Sequence, residues 1–127
     1  MSEYVQKLYE VEDVPCADEL VVGDVRQCEI GRVKLAGPVC LKRGTLLMSS
    51  GEGFAAASVS ASSAEELSIL AEDVDLLEGE EFEFTGYFGG VFKGSAVILP
   101  YETEDDDHEA LLGELEGKLR LQKIRIV

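Results

Sequence analysis

Apolar residues in this chain alternate more often than they recur at helical spacing. The stretch Cys28-Glu29-Ile30-Gly31-Arg32-Val33-Lys34-Leu35 has a period of two and predicts a half-buried strand. Ala36-Gly37-Pro38 reads as a turn, and Thr45-Leu46-Leu47-Met48 as a second strand. Ser49-Ser50-Gly51-Glu52-Gly53 reads as a hairpin loop that returns through Phe54 to Ala57. The alanines alone favour helix, but the loop before them favours a returning strand. Ser58 to Ser63 is a loop of small residues, with Ser62 or Ser63 placed to cap a short helical turn through Glu65 and Glu66.

Two later stretches organise the rest. Leu67 to Ala71 is a short apolar run ending abruptly in acids, which predicts a strand buried on both faces. Glu81 to Phe92 is a long aromatic strand whose apolar phase shifts near Gly86. The glycines within it, Gly89-Gly90 above all, predict a bulge or a close backbone approach. Glu78-Gly79-Glu80 forms a turn in the acidic connection between the two strands. Ala96 to Leu99 predicts a strand ending at Pro100. Asp105-Asp106-Asp107 then precedes a helical pattern on Ala110, Leu111, Leu115 and Leu119. Acids at the start and Lys118 and Arg120 toward the end suit the helix dipole. Gly113 and Gly117 each cost about 1 kcal/mol, so the helix is expected to be short or bent. Leu121 to Val127 alternates and predicts a closing strand. The expected fold is mainly β, a β-rich α+β domain with one short C-terminal helix.

Met1 to Leu20 has no secure period, and Val14-Pro15 and Asp18-Glu19 interrupt it. It reads as a flexible arm before a core domain over 21–127, with Tyr4, Val5, Leu8 and Tyr9 as its apolar anchors. The length of 127 residues suits one domain, and an apolar fraction of 46% is ordinary for a globular protein. No apolar run is long enough to span a bilayer, and the N-terminus has no basic region or signal-like core. Soluble expression in a cytoplasm is expected.

The net charge of −15 disfavours direct binding of nucleic acid or of an anionic membrane surface. Cys16, Cys28 and Cys40 form no Cys-x-x-Cys pair and read as small buried hydrophobes. His108, the sole histidine, reads as an exposed surface residue among carboxylates. The acids from Glu102 to Glu109 lack the glycine and ligand spacing of an EF-hand. Gly86, Gly89 and Gly90 lack the Lys-Ser/Thr and following helix of a phosphate loop. No catalytic residue, cofactor or metal is expected, and the reading is of a structural or binding protein.

The order of several motifs is more specific than any one of them. Gly44-Thr45-Leu46-Leu47, a turn, Ile69-Leu70-Ala71-Glu72-Asp73-Val74-Asp75, and the glycine-bearing Gly86-Tyr87-Phe88-Gly89-Gly90-Val91-Phe92 follow one another. Ala96-Val97-Ile98-Leu99, a helix and the closing strand complete the series. Over about Val25 to Val127 this resembles the head decoration proteins of tailed bacteriophages, of the phage-lambda type. The resemblance implies a small β-barrel or β-tulip-like domain that forms homotrimers. It implies a virion protein on the capsid exterior, bound to the major capsid protein at local three-fold positions and stabilising the expanded shell. The arm residues Tyr4, Val5, Leu8 and Tyr9 would then contact the shell. The alternative from charge is an acidic DNA-mimic inhibitor that occupies a basic DNA-binding cleft, with Glu78 to Glu83 and Glu102 to Glu109 imitating phosphates.

Overall fold

In a computed structural model, residues 20–127 are described apart from Asp24 and Glu52 and the side chains of Val25 and Ser62. Strands β1 (Glu29–Ala36), β2 (Val39–Leu41), β3 (Leu46–Ser50), β4 (Gly53–Ala56), β5 (Leu67–Leu70), β6 (Val74–Leu76), β7 (Glu81–Phe92) and β8 (Ile124–Ile126) accompany one long helix, α1 (His108–Leu121). The fold is mainly β with one C-terminal helix.

The larger sheet runs β1-β7-β5-β3-β4, every neighbouring pair antiparallel, while β8 lies parallel to the end of β7. β2 and β6 form a separate two-stranded ribbon. The sheet carries an apolar layer on each face. One cluster gathers Leu46, Leu67, Ile69, Tyr87 and Phe92 with Leu112, Leu115 and Leu119 of α1. The other joins Val33, Leu35, Leu47 and Leu70 to Val74 and Leu76 of the ribbon. Leu67, Ser68, Ile69 and Leu70 are all fully buried, because β5 sits mid-sheet between the two layers. The Ser68 hydroxyl meets its buried polar requirement by donating to the Tyr87 carbonyl at 2.9 Å.

The long aromatic strand spans the residues expected, but its change of phase falls later than Gly86. Phe84 and Phe88 face the ribbon-side layer, whereas Phe92 faces the helix-side layer. In the β1–β7 register Glu29 opposes Gly89 and Ile30 opposes Tyr87, so Phe88 is the extra residue of a bulge. Gly90, at φ 140°, completes the reversal where a Cβ would stand 2.8 Å from the Cys28 sulfur. Gly86 has a different task. A Cβ there would lie 2.7 Å from the Ser68 Oγ and 2.8 Å from a Val33 methyl, so it admits the neighbouring strands' side chains.

Four expectations are corrected. The sheet does not close into a barrel. The edges β1 and β4 come close, since a Cβ on Gly53 would be 2.8 Å from the Lys34 carbonyl oxygen, but they share no ladder. The ribbon packs against the layer beneath that seam instead. The acidic connection between β5 and β7 contains β6, whose Val74 and Leu76 are buried opposite Leu41 and Val39. The segment expected as a strand at Ala96 to Leu99 is a 3-10 turn, Gly94–Ala96, followed by extended chain with a single bridge from Ile98 to Thr45. The helix is not short: fourteen residues carry Leu112, Leu115 and Leu119 into the core, and Gly113 and Gly117 stand on its exposed side. Asp107 caps it, accepting a hydrogen bond from the Glu109 N–H.

Candidate functional site

The expected arm residues Tyr4, Val5, Leu8 and Tyr9 lie outside the described residues, as does Cys16. What the structure describes is the root from which that segment leaves. Leu20 and Val21 are buried in the helix-side core, so the residue expected to end the arm packs within the domain. The Lys93 N–H donates to the Leu20 carbonyl and the Val22 N–H to the Val91 carbonyl, both at 2.8 Å. Val21 thereby forms an antiparallel bridge to Phe92, whose other edge is paired with Ile126 of β8. Leu20, Val21 and Val22 thus enter along the edge of β7 through a single bridge, and three consecutive apolar residues are too short a signal to separate from the irregular ones before them.

A second cluster centres on His108 at the start of α1. Its Nδ1 is 2.5 Å from Glu102 Oε1 and its Nε2 is 2.7 Å from the Gly94 carbonyl. The ring is half-buried, not the exposed side chain expected. Glu102 lies six residues away across a loop, so no helical periodicity pairs the two. The hydrogen bond to Glu102 raises the pKa of His108, burial opposes this, and the Gly94 carbonyl adds to the rise. Beside it a pocket of about 380 Å³ lies between α1 and the chain end, floored by Leu112 and Ile126 and flanked by Glu109 and Glu116. Ser95 also lines this pocket, but the two ring nitrogens of His108 are engaged by Glu102 and the Gly94 carbonyl and not by the Ser95 hydroxyl.

A third feature is the cleft of about 320 Å³ where the edges of β1 and β4 approach. It is lined by Leu35, Val39, Leu41 and Phe54, with Lys34 and Glu81 at its mouth. Cys28 is half-buried, whereas Cys40 is exposed on the ribbon and differs from the buried role expected. Among the described residues no cluster of three or more His, Cys, Asp or Glu is arranged to hold a metal. No helix among them is long and apolar enough to cross a membrane.

No protein-family model matches the chain, and no curated protein matches it.

Proposed function

We propose that this chain is a structural virion protein. It binds the outer surface of an expanded tailed-phage capsid at local three-fold positions, as a homotrimer, and stabilises the shell. The observation that carries this reading is the rooted entry of the N-terminal segment. The segment Leu20 to Val22, with Leu20 and Val21 buried, is fixed by hydrogen bonds and one bridge to the end of β7, and the chain before it holds Tyr4, Val5, Leu8 and Tyr9. A segment held at a rigid root can add to a strand edge of the major capsid protein, where main-chain hydrogen bonds give affinity and alternate side chains fill pockets. Repeated over a shell, modest contacts of this kind sum by avidity.

The order of the elements supports the same reading. The doubly buried β5, the glycine-bulged aromatic β7, the C-terminal helix and the closing β8 occur in the sequence order that suggested the resemblance. Ile30 and Phe82 stand more than half exposed on the β1–β7 pair, at opposite ends and on opposite faces of it, and either is an apolar contact that association of copies would cover.

The deciding experiment is co-sedimentation of the purified full chain with expanded, undecorated capsids. Saturable binding in multiples of three per local three-fold position is expected. Failure to bind, together with capture by a DNA-binding enzyme through its basic cleft, would replace this reading with that of an acidic DNA mimic.

A further inference from the structure

His108 faces two hydrogen-bond acceptors and no donor. The Glu102 carboxylate lies at Nδ1 and the Gly94 carbonyl at Nε2. A neutral imidazole carries one N–H and satisfies only one of them, while the imidazolium satisfies both. The acceptors come from different parts of the chain. Glu102 belongs to the loop after Leu99, and Gly94 is the buried first residue of the 3-10 turn that follows β7. Gly94 also donates from its own N–H to the Val127 carbonyl at 2.9 Å, and a Cβ at this position would come within 3.1 Å of Leu112 and Ile126. One proton on His108 therefore joins the start of α1, the loop, the turn and, through the turn, the end of β8.

We infer that His108 is a proton-operated latch holding α1 and the end of β8 to the 3-10 turn, closed when the imidazole is protonated and loosened when it is neutral. The inference is independent of any capsid partner.

The surroundings bias the latch toward its closed form. On α1 the acids Glu109 and Glu116 flank the same pocket, and Asp107 caps the helix. The loop contributes Asp106 and Tyr101 beside Glu102. Lys93 before the turn and Arg125 on β8, both exposed, are the basic groups on the turn and the closing strand, while Lys118 and Arg120 stand in the last turn of α1, away from His108. The balance is acidic and favours the imidazolium.

The sign follows from linkage. The folded-state pKa of His108 is raised, so its contribution is complete below the ordinary histidine value of 6.5 and is lost as pH rises through the folded value. Carboxylates titrate near about 4 and tyrosine near about 10, so neither class mimics this change within the window.

The test is nuclear magnetic resonance on the full chain, where the one histidine gives an unambiguous ring signal. The His108 ring should titrate above the ordinary value, and Glu102→Gln should lower that midpoint. Amide protection of Gly94 and Val127, corrected for intrinsic exchange, should fall severalfold as pH rises through the midpoint in the native sequence. It should stay flat in His108→Gln, which keeps one donor and one acceptor but does not titrate. A native midpoint at or below the ordinary value overturns the inference. So does the same pH-dependent loss of protection in His108→Gln. If that variant does not fold, the native titration and the Glu102→Gln shift decide alone.

Discussion

Arg43 grips Tyr87 in two ways: its guanidinium donates to the phenol oxygen at 2.9 Å and lies 5.7 Å from the centre of the same ring. Tyr87 is buried at the middle of β7, and Arg43 stands in the turn before β3. The same guanidinium donates from Nε to the Ala71 carbonyl, and the Arg43 N–H donates to Asp73. The connection from β5 to β6 is thus fastened to the turn before β3 and to the strand beneath.

Removing the hydroxyl with Tyr87→Phe should lower unfolding free energy by about 1.5–3 kcal/mol, the cost of a hydrogen bond to a charged donor. Arg43→Met should cost about 1–3 kcal/mol, because both oxygens lose a donor. Urea denaturation of each variant and of the double variant measures the coupling. An additive pair would show that the hydroxyl bond contributes no coupling, leaving the ring contact and the bond to the Ala71 carbonyl as what Arg43 supplies.

Two glycines should respond in opposite directions. Gly86→Ala places a methyl against Ser68 and Val33 in a filled core, and should destabilise by about 1–3 kcal/mol. Gly113→Ala meets nothing within 4 Å on the open face of α1, and should stabilise by about 1 kcal/mol. Thermal unfolding followed by circular dichroism reads both changes.

Deleting residues 1–9 should leave the domain folded and its association unchanged while weakening capsid binding at least tenfold, about 1.4 kcal/mol. Binding equal to that of the full chain would remove Tyr4, Val5, Leu8 and Tyr9 from the contact. The cut ends well before the buried Leu20, so the hydrogen bonds to Lys93 and Val91 stay in place.

Light scattering of the purified full chain at micromolar concentration should give three chain masses. Ile30→Glu and Phe82→Glu probe opposite faces of the β1–β7 pair, and the variant on whichever face forms the contact between copies should show the lower fraction of trimer. A monomer at high concentration would count against association in solution.

Much of the fold was legible because it rests on local pattern. Leu67 to Leu70 could be read as doubly buried, being apolar apart from one serine and bounded by charge. The bounds of β7 followed from its aromatic content and the turn at Glu78-Gly79. What escaped depended on distant partners. Val74 and Leu76 look like the tail of an acidic run until Leu41 and Val39 are set opposite them. Gly89-Gly90 signalled a bulge, but its place at Phe88 is fixed by register with Glu29 and Ile30. His108 looked like one polar group among many, since neither the loop that brings Glu102 to it nor the turn that offers the Gly94 carbonyl has a sequence period.

The pairing at the end of β7 also sets where a mechanical load would travel. Leu20 to Val22 lies along one edge of Phe92 and Ile126 along the other, so tension between the first described residue and the last crosses a single strand. The bonds in that path include Lys93 to Leu20 and Val22 to Val91 on one side, and on the other the short β7–β8 ladder with Gly90 to Lys123, Val127 to Phe92 and Gly94 to Val127. Pulled from these two ends, the domain should yield first by peeling at β7, with β3, β4 and β5 still paired and the ribbon undisturbed, so that the rupture force reports on this seam and on the apolar contacts of Leu20, Val21 and Ile124 beside it.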